Sequence, residues 1–410
     1  MRILYLHQYY QTRASYGITR SYELARYLVS RGHQVTVVTG DRSYQSGERI
    51  ARNQRAWITT EEHEGIRVVT VGVLFSYRKS FLHRAGAFAA YALLSAWAAL
   101  RTGPADVVLA TSPPLTAGVA GLVAGLLKRA PFVFEVRDLW PEVIEELGVV
   151  RQRLPLAVLD AMARLTYYGA RRVVAVTPGI RRWLLEKRGL SADKVDLVTQ
   201  GADLDLFPEP DRSAARARLG LGDEFVVVYA GALGIANKID VVLEAARHMS
   251  DRALFLIIGE GMEKKRLQAL AAEWGLDRVK FLPGMARQDI VGHLTAADVG
   301  LVSLRSCPVF GTALPNKFFD YLGAGLPVVV NFPGDLAELV EQEGIGRYGG
   351  DNDPVRLAQT LAELERDAAG RAEMGRRARV LAETTFRRDA QSQRLEEILM
   401  LAAGHSPAER

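Results

Sequence analysis

Lys317 and Asp320 are the two residues of this chain whose types and spacing most readily do chemistry. They sit in Gly311–Asn331, which reads G-T-A-L-P-N-K-F-F-D-Y-L-G-A-G-L-P-V-V-V-N. The middle of the stretch predicts a short helix, with Pro315 suited to its first position and Gly323 and Gly325 supplying the stop. Pro-Val-Val-Val then predicts a buried strand. Residues three apart share one helix face. Lys317 falls in the first turn, where free backbone N–H groups and the helix dipole favour a phosphate. A cation there and a carboxylate one turn on suit a nucleotide diphosphate, phosphate on lysine and ribose hydroxyls on aspartate. An amphipathic helix with a solvated Lys and Asp fits the spacing equally well.

A second cluster is Glu135-Val136-Arg137-Asp138-Leu139-Trp140-Pro141, at the expected C-terminal end of a core strand. Asp138 there suits orienting a sugar hydroxyl or taking its proton. Arg137 suits either a phosphate or neutralisation of Asp138. After the first strand no G-x-G-x-x-G occurs, so a dinucleotide fingerprint is missing. Gly17 alone, with Arg20 behind it, allows close approach of a sugar or phosphate, though a lone loop glycine is more often a turn. Asp203-Leu204-Asp205 spells a D-x-D, but it lies in a stretch that reads as a linker and is taken as a plain turn.

The elements that must position these residues alternate along the chain. Strands are expected at Arg2–His7, Gln34–Thr39, Ile66–Val73, Asp106–Thr111, Pro131–Arg137, Arg172–Thr177 and Val195–Thr199, separated by helical patterns except for a polar loop before Ile66. A second series follows at Phe225–Ala230, Ala253–Ile258, Val279–Leu282 and Asp298–Leu304, with helices at Pro354–Leu364 and Met374–Ala402. Continuous β-branched runs alternating with helices mean parallel sheets covered on both faces. The expected architecture is α/β, two doubly wound Rossmann-like domains, with a ligand in the cleft between them. The domains are read as 1–200 and 215–385, joined by the Pro- and acid-rich linker 201–214. A C-terminal helix at 386–410 is expected to cross back to the first domain.

Composition narrows the partners. The 410 residues are 49% apolar and 24% charged, ordinary for a globular protein. Residues 1–200 hold 27 Lys and Arg against 16 Asp and Glu, a net +11, while residues 201–410 carry a net −6. A basic half implies an anionic partner, phosphorylated substrate or acidic lipid. Nucleic acid is set aside, because no binding motif accompanies the charge. Seven scattered histidines and one cysteine, Cys307, give no metal cluster and no internal disulfide. No N-terminal signal is read, and a cytoplasmic setting is expected. The apolar run Ala85–Leu100 falls short of the ~20 residues that span a bilayer. It reads as a core helix, or else as a membrane-interface element with Phe81, Phe88, Tyr91 and Trp97 on the lipid and Arg78, Lys79 and Arg84 on headgroups.

Taken together, several pieces resemble the retaining glycosyltransferases of family 4, of GT-B architecture. They are Y-G-I-T-R-S-Y-E-L-A-R-Y-L-V-S-R-G-H-Q-V-T-V-V-T, T-S-P-P-L-T-A-G, F-E-V-R-D-L-W-P-E, Y-A-G-A-L-G, the G-E-G at 259–261, and L-P-N-K-F-F-D-Y-L-G-A-G-L-P-V-V-V-N. The most similar subgroup transfers amino-deoxy sugars such as N-acetylfucosamine in O-antigen or capsule synthesis. The resemblance implies a nucleotide-sugar donor, UDP-linked, and no metal or other cofactor. It implies a lipid-linked saccharide acceptor at an anionic membrane surface, the inner face of the cytoplasmic membrane. On the donor side it implies Gly17, Arg20, Gly231, Lys238, Pro283, Gly284, Met285, Gly311, Thr312, Ala313, Leu314, Pro315, Asn316, Lys317 and Asp320. Pro283-Gly284-Met285 would face the base, Asp320 the ribose, and Lys317 with Gly311–Leu314 the diphosphate and sugar. Arg137, Asp138 and Trp140 fall to the acceptor, with Asp138 and Lys317 as the catalytic pair.

The chain departs from the family pattern in telling places. The family's Glu-x7-Glu has Thr312 at its first position and Asp320 at its second. Its Arg and Lys after the first strand of the second domain fall on Ala232 and Asn237, with Lys238 offset by one. Its His-Asp appears as Arg137-Asp138. Two rivals follow: a nucleotide-sugar epimerase of the same architecture, and a non-catalytic nucleotide-sugar-binding protein.

Overall fold

A computed structural model describes residues 1–13, 17, 19–41, 57–72, 81–208 and 211–405, without the side chains of 81, 82, 84 and 85. The chain divides into two compact units. Unit 1 comprises Met1–Thr12, Ile18–Thr199 and Asp389–Arg410, and unit 2 comprises Arg13–Gly17 and Gln200–Arg388. Both are Rossmann-like α/β folds, as the alternation of elements requires.

Unit 1 is built on eight strands: β1 (Arg2–Leu6), β2 (Gln34–Gly40), β3 (Ile58–His63), β4 (Ile66–Val71), β5 (Val107–Thr111), β6 (Phe132–Val136), β7 (Arg172–Ala175) and β8 (Val195–Leu197). Their order is β3-β4-β2-β1-β5-β6-β7-β8. The neighbours are parallel except β3, which pairs antiparallel with β4. The sequence reading took this segment for a loop. Its T-T-E-E-H is polar because an edge strand with four exposed residues needs no apolar face. The stripe Ile3, Tyr5, Val35, Val37, Val107, Leu109, Val133 and Val174 packs one face of the sheet. Leu395, Ile398 and Leu399 of the C-terminal helix join the same cluster. His33 Nε2 lies 2.7 Å from Glu396 Oε1 and fastens that helix to unit 1.

Unit 2 carries β9 (Phe225–Ala230), β10 (Ala253–Ile258), β11 (Val279–Leu282), β12 (Val299–Val302), β13 (Val328–Val330) and β14 (Gly346–Tyr348). They run parallel in the order β11-β10-β9-β12-β13-β14, which in chain order is 3-2-1-4-5-6. Order reverses between β9 and β12 in unit 2 and between β1 and β5 in unit 1. Ligands of doubly wound sheets bind beyond the carboxyl ends of the strands at such switch points.

Two boundaries differ from the sequence reading. Gly201–Ala214 is not a free linker: Ala202 and Phe207 are buried in the core of unit 2, and a helix begins at Arg212. The single helix expected at Met374–Ala402 is two helices, Ala368–Thr384 and Arg388–Ala402. The break is tertiary. Phe386 is buried against Phe318 and Phe319 with ring centroids 6.1 and 5.3 Å away. The Phe386 carbonyl accepts from Ala202 N at 2.7 Å, which draws the chain out of the helix. Val73, Arg78 and Lys79 lie outside the described residues.

Candidate active site

In unit 2 the helix Asn316–Gly323 stands over the switch point, and Tyr321 places it there. Beyond residue Val228, β9 and β12 no longer pair, so their ladder opens. The buried Tyr321 hydroxyl enters the gap. It accepts from Ala230 N at 3.0 Å and lies 3.3 and 3.2 Å from the carbonyls of Val228 and Leu301. A Cβ at Gly300 would meet the Tyr321 ring at 2.5 Å, so only glycine admits it. Pro315 precedes the helix in extended geometry (ψ 149°) rather than occupying its first turn. Gly325 at φ +67° ends it, with its N–H on the Leu322 carbonyl.

This helix aims Lys317 back at the end of β9. Its Nζ lies 3.9 Å from the centroid of the Tyr229 ring, a cation–π contact. The Tyr229 hydroxyl is held 2.7 Å from the Ala232 carbonyl and 2.9 Å from Asn237 Oδ1. The two positions where the resemblance implies Arg and Lys therefore brace the ring beneath Lys317. A Cβ on Gly231 would lie 2.8 Å from Lys317 Cε and 2.9 Å from Nζ, so a side chain there would displace the tip of the lysine. Among the described residues Lys317 has no carboxylate partner, and burial pushes its ammonium down to about 7. An under-solvated cation at a helix N-terminus is a ready anion site.

Around it, the other expected residues divide. Asp320 Oδ1 accepts from Arg287 Nη2 at 2.5 Å, which fixes the carboxylate while leaving Oδ2 without a partner among the described residues. Gly284 N–H donates to Glu260 Oε1 at 3.2 Å, and Lys264 Nζ joins Glu260 Oε1 at 2.7 Å to the Gly259 and Leu282 carbonyls. The loop Pro283-Gly284-Met285 is thus tied to the end of β10, with Pro283 exposed and Met285 half-buried on the core. Thr312 closes a 3-10 turn, its hydroxyl donating to the Val309 carbonyl at 2.8 Å. Gly311 belongs to the same turn, and Ala313 N–H donates to the Phe310 carbonyl. Leu314 is buried in the core, so only its backbone can face a ligand. Asn316 begins the helix and is half-buried. Lys238 is held by Asp240 at 3.0 Å rather than left open. Asp203, of the D-x-D, is buried 3.1 Å from Arg13. Gly17, also assigned to unit 2, adopts φ +146°.

Unit 1 gathers a second polar cluster at its own switch point. Glu135, fully buried at the end of β6, accepts from Arg20 Nε at 2.9 Å and Nη2 at 2.7 Å, and from the Thr111 hydroxyl at 2.7 Å. Burial works to raise the Glu135 carboxyl, but the charges of Arg20 and Arg137 and these hydrogen bonds outweigh it and hold it low. Arg20 also donates to the Thr199 carbonyl at 2.8 Å. Its expected place on the donor is therefore corrected: a buried guanidinium spent on Glu135 and backbone carbonyls is a brace for unit 1. Arg137 lies beyond it, with its charge bearing on Glu135, His7 and Asp138. Burial raises the Asp138 carboxyl, with Arg137 opposing, and Asp138 has no partner among the described residues. Trp140 packs edge-to-face on Phe88, ring centroids 6.4 Å apart.

Sequence reasoning missed three contributors. Arg287 carried no signal, since one arginine after a loop does not announce a partner 33 residues away. The Glu260–Lys264 brace was legible only as an i,i+4 pair. His7, 3% exposed, closes a chain in which the Tyr5 hydroxyl donates to Ser21 Oγ at 2.9 Å and Ser21 Oγ lies 2.7 Å from His7 Nδ1. Burial and Arg137 push the imidazole well below 6.5, so it is neutral at physiological pH.

The comparisons with known proteins bear on this geometry. Residues 17–201 match the family described as glycosyl transferase 4-like domain, and residues 211–381 match glycosyl transferases group 1. The chain carries both domains of a family 4-type glycosyltransferase. The colanic acid biosynthesis glycosyl transferase WcaI of Escherichia coli K12 is 26% identical over 79% of this chain and 84% of its own length. The D-inositol 3-phosphate glycosyltransferase of Nocardia farcinica is 32% identical over 51% of this chain, which spans about half (48%) of that relative. Among solved structures, the sucrose-phosphate synthase of Thermosynechococcus elongatus superposes with a TM-score of 0.77 at 19% identity, covering 99% of this chain and 100% of that one. Anabaena HepE in complex with UDP and glucose gives 0.73 at 20%, covering 98% and 100%. At these identities the structural matches establish the GT-B fold.

Proposed function

We propose that this glycosyltransferase moves a sugar, of the hexose or N-acetylamino class, from a UDP-linked donor on unit 2 to a lipid-linked saccharide on unit 1. Transfer retains the anomeric configuration and serves cell-surface polysaccharide synthesis at the inner face of the cytoplasmic membrane. One observation carries the reading: Lys317, a cation without a carboxylate among the described residues, poised over Tyr229 and Gly231 at the switch point. A diphosphate supplies the missing anion, and negative charge growing on the leaving phosphate strengthens the contact during transfer. Lys317 and the helix N–H groups do this work without a metal ion. The Pro283-Gly284-Met285 loop takes the base, Asp320 the ribose hydroxyls, and Asp138 orients the acceptor hydroxyl. With Thr312 turned onto its own backbone, donor-sugar contacts fall to the backbone of the 311–314 loop. The complexes of HepE with UDP and with UDP-glucose, and the colanic acid assignment of WcaI, support donor and pathway class. The comparisons favour neither an epimerase nor a binding protein.

A coupled UDP-release assay with a panel of UDP-sugars and membrane extract tests it. Release that requires both donor and extract is expected. Release without extract would assign hydrolysis instead, and no release with any donor would leave epimerisation, in which the nucleotide stays on the sugar, or binding only.

A further inference from the structure

The helices Phe81–Leu100, Leu115–Lys128 and Arg153–Gly169 lie side by side on unit 1, with Leu115–Lys128 in the middle. Surface helices turn polar residues outward and apolar residues to the core. These three do not. On Arg153–Gly169 the outward positions Leu154, Val158 and Leu165 are 76%, 52% and 56% exposed. Ala161 and Tyr168 extend the same stripe at alternating spacings of three and four. The middle helix exposes Leu126 and Leu127 at 71% and 59%, and the first exposes Leu93 at 74%. Tyr91, at the lipid only in the membrane-interface reading, is buried as the core-helix reading expects, with its hydroxyl on the Val38 carbonyl at 3.1 Å. Trp97 is exposed and carries Arg101 over its ring at 3.6 Å.

Cations outnumber carboxylates beside this face, where Arg188 ties Asp160 to Glu142. The three helices contain a single carboxylate, Asp160, and it is neutralised by Arg164 and Arg188. Arg101, Lys128, Arg129, Arg151 and Arg153 stand at or just beyond their ends. A contiguous exposed apolar face marks an interaction surface. Apolar side chains flanked by an excess of cations match the acyl boundary and headgroups of an anionic bilayer. A second copy of the chain would set the same basic rims against each other.

We propose that this three-helix face docks on an anionic lipid surface. It extends the lipid-linked-acceptor reading by naming where the chain meets lipid, and it rests on no donor chemistry. No helix among the described residues is long and apolar enough to cross a membrane, so contact would be made from one side.

The test is co-sedimentation of the full chain with phosphatidylcholine vesicles, with and without phosphatidylglycerol. Binding is expected only with the anionic lipid and should weaken at high salt. Leu154→Glu with Val158→Glu, and separately Leu126→Glu with Leu127→Glu, should each weaken binding at least tenfold. All four positions are exposed, so melting temperature should not move, and UDP release with a detergent-solubilised acceptor should persist. Variants that bind like the wild type, or a wild type indifferent to phosphatidylglycerol, would overturn the proposal. So would a wild-type dimer that these substitutions turn into monomers, since the face would then belong to a second copy. Vesicle binding without sugar transfer under any condition would sink the enzymatic reading and leave the docking face standing.

Discussion

Replacing Lys317 by Met should stabilise the free protein while it weakens donor binding. The ammonium falls from 10.5 to about 7 because burial strips its water without supplying an anion. At ~1.4 kcal/mol per pH unit, that displacement corresponds to a penalty of roughly 5 kcal/mol at neutral pH. Partial access to solvent and the Tyr229 contact reduce the expected gain from Lys317→Met to roughly 2 kcal/mol. The sign follows from proton binding. Between about 7 and 10.5 the unfolded chain holds a proton that the folded one has shed, so wild-type stability rises with pH across that window. The advantage of Met is therefore full below pH 7 and vanishes by about pH 10.5. For a unit of this size a gain of ~2 kcal/mol raises the midpoint of thermal unfolding by about 4–8 °C. The same substitution removes a charge-assisted hydrogen bond to phosphate worth ~1.5–3 kcal/mol, weakening UDP binding about 10- to 100-fold. Calorimetry at pH 8 in buffers of different ionisation enthalpy adds a second readout: wild type should take up close to one proton on binding UDP, and Lys317→Met none. A variant that melts lower than wild type, or binds UDP equally well, would refute the assignment of Lys317 as a strained cation awaiting phosphate.

Arg287→Ala frees the Asp320 carboxylate and should weaken UDP binding about tenfold by calorimetry, because the ribose acceptor is no longer held in one rotamer. Asp138→Asn should cut acceptor-dependent kcat/KM by about 100-fold. It should also flatten the acid limb of the pH profile, which in the wild type rises as the burial-raised Asp138 carboxyl loses its proton, above the ordinary aspartate range. Glu135→Gln strands the buried Arg20 guanidinium and should destabilise unit 1 by roughly 3 kcal/mol in denaturant titration, with UDP binding intact. Saturating EDTA should leave the UDP-release rate unchanged; loss of activity restored by a divalent ion would assign the diphosphate charge to a metal.

Local information made much of this protein readable. Strand–helix alternation, β-branched runs and glycine stops specify the elements of both sheets, because burial and backbone geometry act within a few residues. The placement of Arg137 and Asp138 after a strand and of Lys317 in a first helical turn was legible for the same reason. The edge strand Ile58–His63 was not, since strand pairing there does not require an apolar pattern.

Partner choice belonged to the tertiary structure. Arg20 looked available for a ligand until folding set it on Glu135, 115 residues away. Lys317 and Asp320 share a helix face in the sequence, yet folding gives the lysine an aromatic ring and, among the described residues, no carboxylate, and gives the aspartate Arg287. The same holds for the apolar outward stripe of Arg153–Gly169, whose periodicity alone would have predicted a buried face. The sequence by itself determined which segments become strands and helices and where charge meets their ends. Only the tertiary structure decided which charges are spent and which remain open. Desolvation and pairing depend on neighbours in space, and no local pattern encodes them.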